Sequence, residues 1–110
     1  MATDAQTALS EALDRMWARF LPQMQERVDT LDATAQAFAA GLLSVDQQQE
    51  AHSAAHKLAG VLGTFGLTRG TVLARELEIV YSRQNDLDPE LAARLASTAA
   101  ELRTIIAERK

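Results

Sequence analysis

Cysteine is absent from the 110-residue sequence, which excludes disulfides, zinc-thiolate sites and thiol nucleophiles and suits a reducing compartment. Long apolar runs are absent too. Nowhere do about 18 apolar residues follow one another, and Met1 to Ser10 shows no basic residue leading into an apolar stretch, so the sequence predicts a soluble cytoplasmic domain with no membrane partner. Clustered positive charge is the third thing missing: the formal net charge is −4 and the basic residues are scattered, which argues against a nucleic-acid partner. Strand-forming side chains are sparse. Valine and isoleucine together number eight, against 21 alanines and 15 leucines, a balance that favours helix and offers little for a sheet. The length suits one domain, residues 1–110, with a single modest core.

What is present reads as successive amphipathic helices. The first is expected from Thr3 or Asp4 to Phe20, with Leu9, Leu13, Met16, Trp17 and Phe20 on one stripe. Pro22 either kinks a longer helix or occupies the first turn of a second segment, which runs through Val28, Leu31, Ala35 and Phe38 to a left-handed cap at Gly41. Ser44 is an expected N-cap for a helix from Val45 to Thr64 or Phe65, stopped near Gly66. Thr68 is expected to cap the next, which carries Val72, Leu73, Leu77, Val80 and Tyr81 on one side and ends around Arg83 to Asn85. Asp88-Pro89-Glu90 supplies an N-cap, a first-position proline and an early carboxylate for a final helix that ends on the basic pair Arg109-Lys110. Short connections imply antiparallel neighbours. The expected fold is all-α, an up-and-down antiparallel four-helix bundle with an additional N-terminal helical segment.

One face of the helix starting at Val45 is unusual. With successive residues about 100° apart, Gln49, His52, Ser53, His56, Gly60 and Gly63 share one side, and Ala51, Ala55, Leu58, Leu62 and Phe65 oppose them. Glycine in a helix interior costs roughly 1 kcal/mol relative to alanine. Gly60 and Gly63 therefore leave His56 standing over bare backbone where another macromolecule can approach, although glycines on a helix also permit tight packing. Trp17 and Phe65 fall on apolar stripes and belong to the core.

Familiar chemistries do not fit this face. The glycines at 60, 63 and 66 match neither a P-loop nor a dinucleotide fingerprint, and no strand precedes them. His52 and His56 have a spacing that can hold a metal, but Ser53 stands where a zinc peptidase has glutamate, and no third ligand is obvious.

The run Ala51-His52-Ser53-Ala54-Ala55-His56-Lys57-Leu58-Ala59-Gly60-Val61-Leu62-Gly63-Thr64-Phe65-Gly66-Leu67 resembles the signature of histidine-containing phosphotransfer (HPt) domains, including the phosphoacceptor domain of the chemotaxis kinase. His56 falls at the acceptor position, Leu58 at the aliphatic one and Gly60 at the glycine. Leu73-Ala74-Arg75-Glu76-Leu77-Glu78 is similar to the family's Leu-Glu ending of the following helix. The sequence departs from the pattern at Ala59, where lysine is common, and Lys57 and Arg75 are the nearest substitutes.

The resemblance implies a phosphocarrier with no kinase activity, ATP site or intrinsic cofactor. Its partners would be a response-regulator receiver domain, which brings Mg²⁺, and a sensor histidine kinase acting directly or through a receiver. His52, Ser53, Lys57, Gly60, Gly63 and Arg75 form the expected docking set, with Lys57 readable either as a solvated flank or as a phosphate or carboxylate contact. The chemistry also follows from the imidazole itself. With an ordinary pKa near 6.5, an exposed ring is largely neutral at cytoplasmic pH, and a carboxylate on Nδ1–H fixes the tautomer that presents Nε2 as nucleophile. Glu78 is the expected carboxylate, because chain reversal near Gly66 sets a residue ten before the turn level with one ten to twelve after it. The plainer alternative makes Glu78 a surface charge. Two competing functions remain open at this level, a non-catalytic helical adaptor and a dihistidine metal-binding bundle.

Overall fold

The computed structural model describes residues 3–82 and 88–109. Four helices follow one another: α1 (Asp4–Ala39), α2 (Val45–Thr64), α3 (Thr68–Tyr81) and α4 (Ala92–Glu108), the last preceded by a 3₁₀ turn at Pro89–Leu91. Each packs on its sequence neighbours, most extensively α2 on α3, and α4 closes back on α1. Among the described residues there is no strand, and no helix is long and apolar enough to cross a membrane. The chain is an all-α helical bundle.

The expected N-terminal segment and the first bundle helix are one continuous α1. Pro22 removes one backbone donor from its interior, but Pro22 and Ala18, whose carbonyl loses that bond, are both exposed, so water can solvate the freed oxygen. At 36 residues α1 is about 54 Å long, while the 20 residues of α2 span about 30 Å. The N-terminal part of α1 therefore extends beyond its neighbours. Residues 3–11 are all exposed, and Leu9, expected on the packed stripe, is 62% exposed because no helix lies opposite it.

Local signals fix most ends. Thr3 and Gln6 form a reciprocal capping box at the start of α1, and Gly41, at φ +72°, turns the chain after it. The Ser44 hydroxyl accepts from the Gln47 N–H at 3.0 Å. Thr68 does not cap α3. Gly66, at φ +71°, lets the Leu67 N–H reach back to the Leu62 carbonyl at 2.9 Å, so Leu67 closes α2 and serves as N-cap of α3 at once, and Thr68 is already the first helical residue. Val72 lies outside the core at 45% exposure. The final helix opens with the 3₁₀ turn, where the Asp88 carboxylate accepts from the Glu90 N–H at 2.9 Å. The expected α3 end at Arg83 to Asn85 and the terminal Lys110 lie outside the described residues.

Met24, Leu31, Leu58, Leu62, Leu77 and Leu102 are essentially fully buried at the centre of the bundle. Gly70 brings α3 close to both neighbours: a Cβ there would meet Leu62 at 3.0 Å and Ile105 at 3.4 Å. Tyr81 is buried at the end of α3, and burial pushes its phenol up to about 12. Its backbone carbonyl accepts from the buried Gln48 amide at 3.1 Å, a second tie between α2 and α3. On the outside, the Arg69 guanidinium is held above its ordinary range by Glu101, which it meets at 2.8 Å.

Candidate functional site

His56 emerges near the middle of α2 because Ala55, Leu58 and Ala59 around it all turn inward. Its side chain is 69% exposed. On the facing helix stands Glu78, with a largely covered carboxylate whose Oε2 lies 2.6 Å from His56 Nδ1. A carboxylate can only accept, so the ring hydrogen resides on Nδ1, and in the neutral imidazole Nε2 then carries the available lone pair. The same contact fixes the ring's orientation and leaves the Nε2 lone pair unengaged by Glu78.

Glu78 also holds the other histidine. Its backbone carbonyl lies 2.9 Å from His52 Nδ1, one turn earlier on α2, with His52 donating, and the same oxygen accepts from the Ser82 N–H at 3.1 Å. His52 is half-buried between α2 and α3. It pins the register that sets the Glu78 carboxylate beside His56, a role the sequence did not reveal because a backbone carbonyl carries no sequence signal. Among the described residues no group of three or more histidine, aspartate or glutamate side chains could hold a metal ion. The two imidazoles direct their Nδ1 atoms to different atoms of Glu78 instead of converging.

The remaining expected residues divide between two sides of α2. Gly63 faces α3, where a Cβ would lie 3.7 Å from Thr71 Oγ1. Gly60 faces open space, with nothing within 4 Å of such a Cβ. Lys57 is exposed and shares with Gly60 and His56 a groove of about 610 Å³ between α1 and α2. Ser53, half-buried, lies one turn before Lys57 on that helix. Arg75 is exposed on α3 and does not line the groove. Ala59, at the position where the family commonly has lysine, is buried and brings no charge to the imidazole.

The other wall of the groove is α1, which contributes Met16, Phe20 and Arg27. Helical periodicity places Met16 and Phe20 on a packed stripe and says nothing of Arg27. The end of the groove is braced: Phe65 packs edge-on against Trp17 at 5.1 Å, and the Arg109 guanidinium lies over both rings, 4.8 Å from Trp17 and 5.2 Å from Phe65. Arg109 also meets Asp14 at 3.3 Å. It therefore folds back on α1 and α2 rather than prolonging α4 as a basic end, which stops at Glu108.

The family model described as "Hpt domain" matches residues 15–108. Protein RcaC of Microchaete diplosiphon is 34% identical over 90 residues, covering 82% of this chain but 14% of that protein, so the chain corresponds to a small part of this relative. No solved structure matches.

Proposed function

The chain belongs to the Hpt domain family, phosphocarrier modules rather than kinases that serve histidine phosphotransfer in two-component signalling, and from that premise we propose that His56 Nε2 accepts a phosphoryl group and exchanges it with the aspartate of a receiver domain. The observation that supports this reading is the 2.6 Å contact between Nδ1 of an exposed imidazole and the Glu78 carboxylate, which leaves Nε2 outermost.

In the forward step the Nε2 lone pair attacks phosphorus in line. The N–P bond forms as the P–O bond to the receiver's aspartate breaks, and that electron pair leaves on the aspartate carboxylate. The imidazole becomes a phospho-imidazolium whose Nδ1–H still faces Glu78, so the positive charge that develops on the ring has its counter-ion in place. Return of the phosphoryl group to an aspartate reverses every bond change. The receiver brings the Mg²⁺ that neutralises phosphoryl charge, and a sensor kinase charges His56 directly or through a receiver. Catalysis by this chain consists of orienting one nitrogen and leaving room above it.

Incubation with a panel of phosphorylated receivers and Mg²⁺ tests the proposal. The expected product is one acid-labile, base-stable phosphate on His56, lost in His56→Gln with helix content unchanged, since the side chain is outside the core. Retained labelling in that variant, on His52 above all, contradicts the assignment.

A further inference from the structure

Arg27 is a cation with no assigned work. It projects from the α1 wall of the groove that also holds His56, Lys57 and Gly60. It is half-buried and makes no hydrogen bond or ion pair among the described residues. Arg69, Arg103 and Arg109 each meet a carboxylate, and the other arginines without a carboxylate among the described residues, Arg15, Arg19, Arg75 and Arg94, are all exposed, so Arg27 alone among the described arginines combines partial burial with the lack of one. Arg27 has none within reach on its own helix, because the residues three and four away are Gln23, Met24, Thr30 and Leu31. Partly desolvating a guanidinium without a counter-charge is unfavourable, and the arrangement makes sense where an anion arrives during function.

Resting on the assignment of His56 as acceptor, we propose that Arg27 binds the phosphoryl oxygens on His56 Nε2, supplying from α1 the positive charge that the phosphorylated groove requires. The imidazole is held from the α3 side by Glu78, so Nε2 and whatever it carries are left to the open side, where α1 forms the facing wall. A phosphoryl group adds close to two negative charges and three acceptor oxygens. Arginine's planar fork can meet two of those oxygens at once, whereas the exposed Lys57, one residue from His56 on a flexible stem, contributes a less directional charge. Arg27 would thus stabilise both the transferring group and the phosphorylated product, while Glu78 serves the ring.

The test uses phosphoramidate, a small donor that brings no protein surface. Nε2 bonds to phosphorus, the donor's P–N bond breaks, and its electron pair departs with ammonia. Phosphate on His56 is followed by ³¹P NMR in the wild-type chain, Arg27→Ala and Arg27→Lys, with His56→Gln as the blank. Arg27→Ala is expected to slow phosphorylation about ten-fold, below the larger effect of removing a donor from a water-excluded site because this groove is open. Arg27→Lys should recover only part of the rate, since an ammonium restores the charge but not the two-pronged contact, and the wild-type rate should fall with added salt more steeply than that of Arg27→Ala. A wild-type rate and salt dependence in Arg27→Ala overturn the inference alone, as does a defect that appears only with a protein donor, which would make Arg27 a docking residue. A wild-type chain that gains no phosphate on His56 overturns the acceptor assignment and this inference with it.

Discussion

At the residue scale the account turns on Glu78, which serves two histidines with two different atoms. Its carboxylate orients His56 and its carbonyl holds His52, so the two functions can be separated by mutation. Glu78→Ala keeps the carbonyl and hence the tie between α2 and α3. The fold should survive, the two His56 tautomers should mix, and phosphorylation should slow by about ten-fold without stopping, because orientation and a counter-charge are lost while the nitrogen remains. Glu78→Gln should retain the Nδ1–H tautomer, since an amide oxygen also accepts, but recover only part of the rate. Nitrogen-15 spectra of the imidazole read the tautomers directly, and identical spectra and rates in all three chains would reduce Glu78 to a surface charge. This pairing was legible beforehand because Glu78 lies twelve residues beyond Gly66 and His56 ten before it, and equal helical rise brings them level. The position of His52 was not legible, since its partner is main chain, nor was that of Arg27, since pattern alone does not say which face of α1 meets α2.

At the scale of elements, glycines on adjacent helices have opposite uses. Gly60 on α2 faces open space, whereas Gly70 on α3 is where α3 presses against Leu62 and Ile105. Gly60→Ala should therefore stabilise the fold by about 0.5–1 kcal/mol through helix propensity. Gly70→Ala should destabilise it by about 1 kcal/mol, because the added methyl crowds the fully buried Leu62 side chain at 3.0 Å and the propensity gain is outweighed. Gly60→Leu should fold as well as wild type yet transfer more slowly, since its bulk enters the approach to His56. Urea unfolding and a transfer assay on the three variants decide the matter, and a Gly60→Leu chain that transfers at the wild-type rate would remove the bare face from the account. Helix ends were readable wherever one residue does one job, as at Ser44 and Gly41. They were misread at Thr68, because after Gly66 the backbone of Leu67 ends one helix and starts the next with no side chain involved.

At the scale of the whole molecule, amphipathic periodicity and capping residues disclosed an all-α bundle, but not that its first two segments are one helix. From the sequence, Pro22 is compatible with either a kink in one long helix or the start of a second. It is accommodated because it lies on the exposed side of α1, and a sequence shows the proline without showing whether its orphaned carbonyl meets water. The long α1 that results supplies the groove wall opposite His56, and Arg109, folding back from the end of α4, braces the Trp17–Phe65 pair at the groove's end. Four helices thus cooperate around one nitrogen: α2 carries it, α3 orients it, α1 walls its open side and α4 clamps the wall. The most direct test of that arrangement is long-range ¹H–¹⁵N correlation spectroscopy on the phosphorylated chain, combined with ³¹P detection, which identifies the ring nitrogen that bears phosphorus. The account predicts a single phosphohistidine, His56, bonded through Nε2 with hydrogen retained on Nδ1. Phosphate on His56 Nδ1, on His52 or on any other residue would contradict it.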